Sequence, residues 1–111
     1  MPIANMRDLI QQARGEGRAV GAFSVSSIDM VRGAVLAAEM TATPIILQVA
    51  EVRLPFSPLS MIGPAMLAAA REATVPVSVH LDHGQSIDVI KQALDIGFTS
   101  VMFDGSNLSM D

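Results

Sequence analysis

The chain has 111 residues, half of them apolar and 16% charged, with a net charge of -4 at pH 7. That balance fits one folded domain, and seven scattered basic residues exclude general nucleic-acid binding, which needs clustered Lys and Arg against phosphates. With no cysteine, disulfides and thiolate metal sites are excluded, and any metal must rest on His and carboxylate ligands.

Four Phe are the only aromatics, so the core is built from Val, Ile, Leu, Ala and Met, as in sheets covered by helices. The opening Met1-Pro2-Ile3-Ala4-Asn5 lacks a basic segment followed by an apolar one. No apolar run approaches the ~18 residues of a membrane span. The expectation is a cytoplasmic protein that does not engage membranes.

From the start, Met6, Leu9, Ile10 and Ala13 form a helical stripe that stops at Gly15 and Gly17. Arg18 to Val25 reads as a strand. Ser27 to Met40 is a helix, with Ser26 or Ser27 as N-cap and Asp29 near its positive end. Pro44 to Ala50 is almost continuously apolar, the pattern of a buried strand. Glu51 to Pro58 reads as a loop. Gly63-Pro64 interrupts the next segment, so a helix is predicted there only from Pro64 to Ala73. Val75 to Leu81 is a third strand, Ser86 to Ile96 a helix closed by Gly97, and Phe98 to Asp104 a fourth strand. This rhythm implies a parallel sheet, and both open doubly wound sheets and (β/α)8 barrels fit it.

Alternation in the third strand puts Val77, Val79 and Leu81 on one face and Ser78, His80 and Asp82 on the other. In the fourth, Thr99, Val101 and Phe103 oppose Ser100, Met102 and Asp104. Asp82 and Asp104 therefore fall at the carboxyl ends of neighbouring strands, where α/β enzymes carry their chemistry. Two carboxylates at one rim suit a cation or a proton transfer. An acid at such a place also commonly makes a turn or a cap, and for Asp104-Gly105-Ser106-Asn107 that plain reading is the stronger one. Asp82 stands apart because His80 and His83, the only histidines in the chain, flank it.

The run Val77-Ser78-Val79-His80-Leu81-Asp82-His83-Gly84, followed by Val101-Met102-Phe103-Asp104-Gly105-Ser106, resembles the class II ketose-bisphosphate aldolases, the fructose- and tagatose-bisphosphate aldolase family. The likeness extends through the opening helix, Ala22-Phe23 and Pro44-Ile45-Ile46. It implies a (β/α)8 barrel, of which this chain would be strands one to four with flanking helices. It also implies a zinc cofactor, a phosphorylated ketose substrate cleaved to dihydroxyacetone phosphate and an aldehyde, a homo-oligomer, and a place in carbohydrate metabolism such as glycolysis. By the resemblance, Asp82 is the acid/base, His83 a zinc ligand, and Asp104 a contact to a second or displaced metal. His80 reads as a supporting residue, and Gly84 and Gly105 as places where the backbone turns sharply.

Two positions depart from the family pattern. Ser24 stands where many relatives have Asn, and Ala50 where many have a hydroxyl residue in a substrate contact. Length departs further: a complete barrel needs about 250 residues, and catalytic zinc typically takes three protein ligands. The 111 residues read as the N-terminal portion of one barrel domain, truncated at the C-terminus and inactive alone. The competing expectation is a noncatalytic half-barrel or binding module that self-associates through open sheet edges.

Overall fold

Among the described residues four strands and four helices alternate, and most boundaries have a local cause. The computed structural model describes residues 2 to 111. Helix α1 (Met6–Gly15) starts at Asn5, whose side chain accepts from the Arg7 amide. Strand β1 (Ala22–Ser24) precedes α2 (Ile28–Met40), which opens where Ser27 accepts from the Met30 amide. Strand β2 (Ile45–Ala50) runs into a single 3-10 turn, and α3 (Leu59–Glu72) leads to β3 (Val77–Gly84). Helix α4 (Ile87–Ile96) lies between the Ser86 cap and Gly97, whose φ of 115° places it in the left-handed region that closes helices, and β4 (Ser100–Phe103) comes last.

The four strands are parallel and pair in chain order, β1-β2-β3-β4. On one face, Leu47, Val49, Val77, Val79 and Leu81 pack with Val31 and Val35 of α2, Ile62 and Met66 of α3, and Ile90 and Ala93 of α4. The odd-numbered strand residues therefore face the helices, as alternation requires. Helix α1 joins from elsewhere: the Ala4 amide donates to the Val77 carbonyl at 2.8 Å, and Thr99 Oγ1 donates to the Ala4 carbonyl at 2.9 Å, at the amino ends of β3 and β4. Helices on one face of a parallel sheet whose other face carries the even-numbered residues fit the half-barrel that the resemblance implies.

The structure corrects several sequence boundaries, and the fourth strand, expected over Phe98 to Asp104, covers only Ser100–Phe103. The first strand, expected over Arg18 to Val25, contracts to Ala22–Ser24, because its only ladder partner is β2. The third helix begins at Leu59, five residues before Pro64, which sits inside it. Gly63 is not a break: a Cβ there would lie 2.6 Å from Ile96 Cδ1, so the missing side chain lets α3 approach α4. The third strand begins at Val77 and extends through Gly84, past its expected end at Leu81.

Candidate active site

The face away from the helices carries one polar level. Ser24 pairs in register with Gln48, Gln48 with His80, and His80 with Ser100, so four polar residues cross all four strands in a row. Within it, Gln48 Nε2 donates to Ser24 Oγ at 3.1 Å, and His80 Nδ1 lies 2.8 Å from Ser100 Oγ. One step toward the carboxyl ends, Asp82 pairs in register with Ala50. Its carboxylate receives the Gln48 amide at 3.4 Å and has His80 Nε2 at 3.9 Å. The aliphatic side chain of Ala50 makes no hydrogen bond, so only Ser24 of the two departing positions joins the polar row.

In an unbroken strand Asp82 and His83 would point to opposite faces. A bulge prevents this. The β3–β4 register runs Leu81 with Val101 and then Gly84 with Phe103, so β3 holds one residue more than β4 in that interval. His83 takes up the extra length with a φ of 45°, one of two non-glycine residues among those described with positive φ. Such a conformation is uncommon for a residue with a Cβ and marks a place where geometry serves something other than local stability. As a result the imidazole stays at the rim: Nδ1 lies 2.9 Å from Asp104 Oδ2, and Nε2 lies 3.7 Å from Asp82 Oδ2. Asp82, His83 and Asp104 are thus brought together, two from β3 and one from just past β4.

Gly84 holds the bulge closed in a way the sequence reading misassigned. Its φ is not positive; the need is space, because a Cβ would lie 2.9 Å from both Ile90 Cγ1 and the Met102 carbonyl oxygen. The Asp104 amide donates to the Gly84 carbonyl at 2.8 Å, which extends the ladder past the bulge. Asp104 also makes the turn that its plain reading predicts, since its Oδ1 accepts from the Ser106 amide at 2.9 Å. The turn and the contact to His83 use different oxygens of one carboxylate.

The charges are set by these contacts. Hydrogen bonds from Ser106, aided by His83, hold the Asp104 carboxyl down at about 2. The hydrogen bond to Asp104 and the charge of Asp82 raise the His83 imidazole above its ordinary value. Burial pushes His80 the other way, favouring its neutral form, with the charge of Asp82 opposing. The rim therefore pairs an exposed imidazole that attracts a proton with a buried one that resists it.

As a metal site this donor set is incomplete. Among the described residues, no three His, Cys, Asp or Glu side chains are grouped to hold a metal ion, and the only exposed imidazole is that of His83. A catalytic zinc typically takes three protein ligands, a set not found among the described residues.

Two residues at this end of the sheet escaped the sequence reading. Gln48 touches Asp82, and its signal was available: it is the one polar residue in the apolar run from Pro44 to Ala50. Glu51, placed in a loop from sequence, accepts from the Gln85 and Ser86 amides and the Ser86 hydroxyl, and no local pattern foretells contacts 34 and 35 residues away.

The chain as a whole has known relatives. Fructose-bisphosphate aldolase of Thermus caldophilus is 39% identical over 90% of this chain, which covers 32% of that protein. The 6-phospho-5-dehydro-2-deoxy-D-gluconate aldolase of Halalkalibacterium halodurans is 35% identical over 96% of this chain, which covers 38% of it. Among solved structures, the YdjI aldolase of Escherichia coli K12 superposes with a TM-score of 0.90 at 30% identity, over 96% of this chain and 41% of its own. The chain thus spans between about a third and two fifths of these proteins. Residues 4–111 match the family described as Fructose-bisphosphate aldolase class-II, and the chain belongs to that family.

Proposed function

We propose that these 111 residues are the N-terminal portion of one class II aldolase barrel domain, and that the complete enzyme carries out zinc-dependent, reversible aldol cleavage of a phosphorylated ketose to dihydroxyacetone phosphate and an aldehyde. The observation that carries the reading is the convergence of Asp82, His83 and Asp104 at the carboxyl ends of β3 and β4, imposed by a bulge that holds His83 in a left-handed conformation. Relatives named for fructose bisphosphate and for 6-phospho-5-dehydro-2-deoxy-D-gluconate leave the ketose itself open; fructose- and tagatose-bisphosphate are the two that the sequence resemblance implies.

Asp82 is assigned as the acid/base. Its carboxylate is anchored by the Gln48 amide while its side chain remains 20% exposed, so it can reach a substrate hydroxyl at the rim. During cleavage it takes the proton from the C4 hydroxyl, and during condensation it returns a proton to the aldehyde oxygen. His83 is assigned as one zinc ligand, the others coming from outside these residues, and Asp104 as a subsidiary metal contact that meanwhile orients the imidazole. Ser24 and Ala50 occupy the substrate-side positions, and the absence of a hydroxyl at Ala50 weakens phosphate or aldehyde binding relative to members that have one. A cytoplasmic homo-oligomer in carbohydrate metabolism is the matching physiological reading; no helix of the described residues is long and apolar enough to cross a membrane.

The test has two arms. Asp82→Asn in the complete enzyme lowers kcat by about 10²- to 10⁴-fold, the range of a lost general acid/base, with folding intact by circular dichroism. The isolated chain releases no triose phosphate, and chelator-sensitive cleavage by the pure 111-residue protein would overturn the fragment reading. Self-association of the isolated chain has its own support in the free edges of β1 and β4. Sedimentation at several concentrations reads it directly, and a stable monomer throughout counts against it.

A further inference from the structure

His83 is anchored on two sides. Toward β4, the Asp104 amide holds the Gly84 carbonyl at 2.8 Å and the Asp104 carboxylate meets the imidazole at 2.9 Å. Toward β2, a single oxygen of Glu51 accepts three hydrogen bonds, from the Gln85 amide at 3.3 Å, the Ser86 amide at 3.1 Å and the Ser86 hydroxyl at 3.1 Å. Glu51 is the first residue after β2, whereas Gln85 and Ser86 come directly after Gly84. Ser86 Oγ also accepts from the Val89 amide at 3.3 Å, so the Glu51 carboxylate is continuous with the first turn of α4.

This arrangement exceeds what capping α4 requires. Ser86 alone supplies the cap, and a carboxylate near a helix start is favoured by unpaired N–H groups and the helix dipole. What Glu51 adds is a tie between the end of β2 and Gln85 and Ser86, the second and third residues after His83. A left-handed residue with a Cβ persists only where its surroundings over-determine it. Here the β4 anchor, on its imidazole and on Gly84, and the Glu51 anchor, on Gln85 and Ser86, hold it and the three residues that follow.

We propose that Glu51 is a positioning residue for this site: by fixing Gln85 and Ser86 against the end of β2, it keeps the His83 turn left-handed and its imidazole at the rim beside Asp82 and Asp104. The placement stands on geometry alone, while its consequence for catalysis rests on the proposed aldolase activity.

NMR of the 111-residue chain tests the placement without any activity. In Glu51→Ala, the Gln85 and Ser86 amides exchange faster by about tenfold or more, as expected when local opening becomes easier. The strong intraresidue amide-to-Hα NOE that marks a left-handed His83 weakens, and the contact between the His83 ring and Asp104 is lost. Glu51→Gln, which keeps an acceptor oxygen, restores both. Glu51→Asp, which keeps the charge but shortens the reach by one methylene, reproduces the loss and serves if the alanine variant does not fold. Faster exchange at Gln85 and Ser86 with an unchanged His83 NOE and ring contact would overturn the proposal, leaving Glu51 a helix cap and no more.

In the complete enzyme, Glu51→Ala lowers kcat by about tenfold or more, the scale of a lost supporting contact, with KM nearly unchanged. A wild-type enzyme without aldol cleavage would sink the aldolase reading, while the NMR result still decides the positioning role. An active enzyme whose kcat ignores Glu51→Ala would remove the catalytic consequence.

Discussion

The two faces of β3 obey different rules. Val77, Val79 and Leu81 are fully buried against the helices and keep strict alternation with Ser78 and His80. Beyond Leu81 the alternation fails, because the bulge leaves His83 at the same rim as Asp82. The helix side is governed by volume and water exclusion, which tolerate no irregularity. The rim is governed by where polar atoms must meet, and there the chain accepts a sparsely populated backbone conformation to bring them together. Sequence periodicity describes the first regime and is blind to the second.

Neighbouring substitutions probe that contrast. Leu81→Ala removes a side chain with no solvent exposure and should cost about 2 to 5 kcal/mol, including the cavity left behind; urea denaturation measures it. A loss under about 1 kcal/mol would mean that the helix side repacks as freely as the rim. Gly84→Ala comes next, at about 1 to 3 kcal/mol, because the new methyl must push against the Met102 carbonyl as well as Ile90. A neutral result would show that the bulge is slack and that Gly84 is dispensable.

His83→Gly has the opposite sign. Removing the Cβ from a left-handed residue should stabilise the fold by about 1 kcal/mol, since L-residues pay about that much to adopt this conformation. An exposed imidazole gives little back when lost. Clear destabilisation instead would mean that His83 supports the fold as Leu81 does, and the distinction between the two faces would break.

The smallest effect is that of His80 on pH dependence. Burial lowers its folded-state pKa below 6.5, so as pH falls through 6.5 the unfolded chain binds a proton that the folded chain resists. Its contribution to stability is full above that pH, is lost progressively below it, and levels off beneath the folded pKa. His83 is raised, so its contribution has the reverse sign, present below 6.5 and lost as pH rises. Comparing the wild type with His80→Asn isolates the His80 slope. Identical slopes below pH 6.5 would show that the buried imidazole titrates normally.

Much of the architecture was legible because it rests on local chemistry. The cap of α2 was narrowed to Ser26 or Ser27, the end of α4 was visible at Gly97, and β2 as an almost continuously apolar run. Gly63-Pro64 misled because glycine and proline punctuate most chains, whereas here Gly63 answers to Ile96 on another helix. At the site, the acidic strand ends and the flanking histidines were readable from alternation and from resemblance. The bulge, the link from Gln48 to Asp82 and the reach of Glu51 to Ser86 were not, since each depends on which strand lies beside which. Even the turn at Asp104 was half of the answer, because its second oxygen belongs to His83.

Pairing of the strands in chain order has a kinetic side. Every ladder joins a strand to the one made just before it, so no strand waits for a distant strand, and only the Ala4 segment waits, for Val77 and Thr99. The loops closed are the lengths of single crossovers, which keeps the entropic cost of each step low and favours rapid assembly. On a ribosome, β2 can dock as soon as it clears the exit tunnel, and β3 on β2 after it. Within these residues the rim comes together only when β4 delivers Asp104 to His83 and the bulge first acquires its partner.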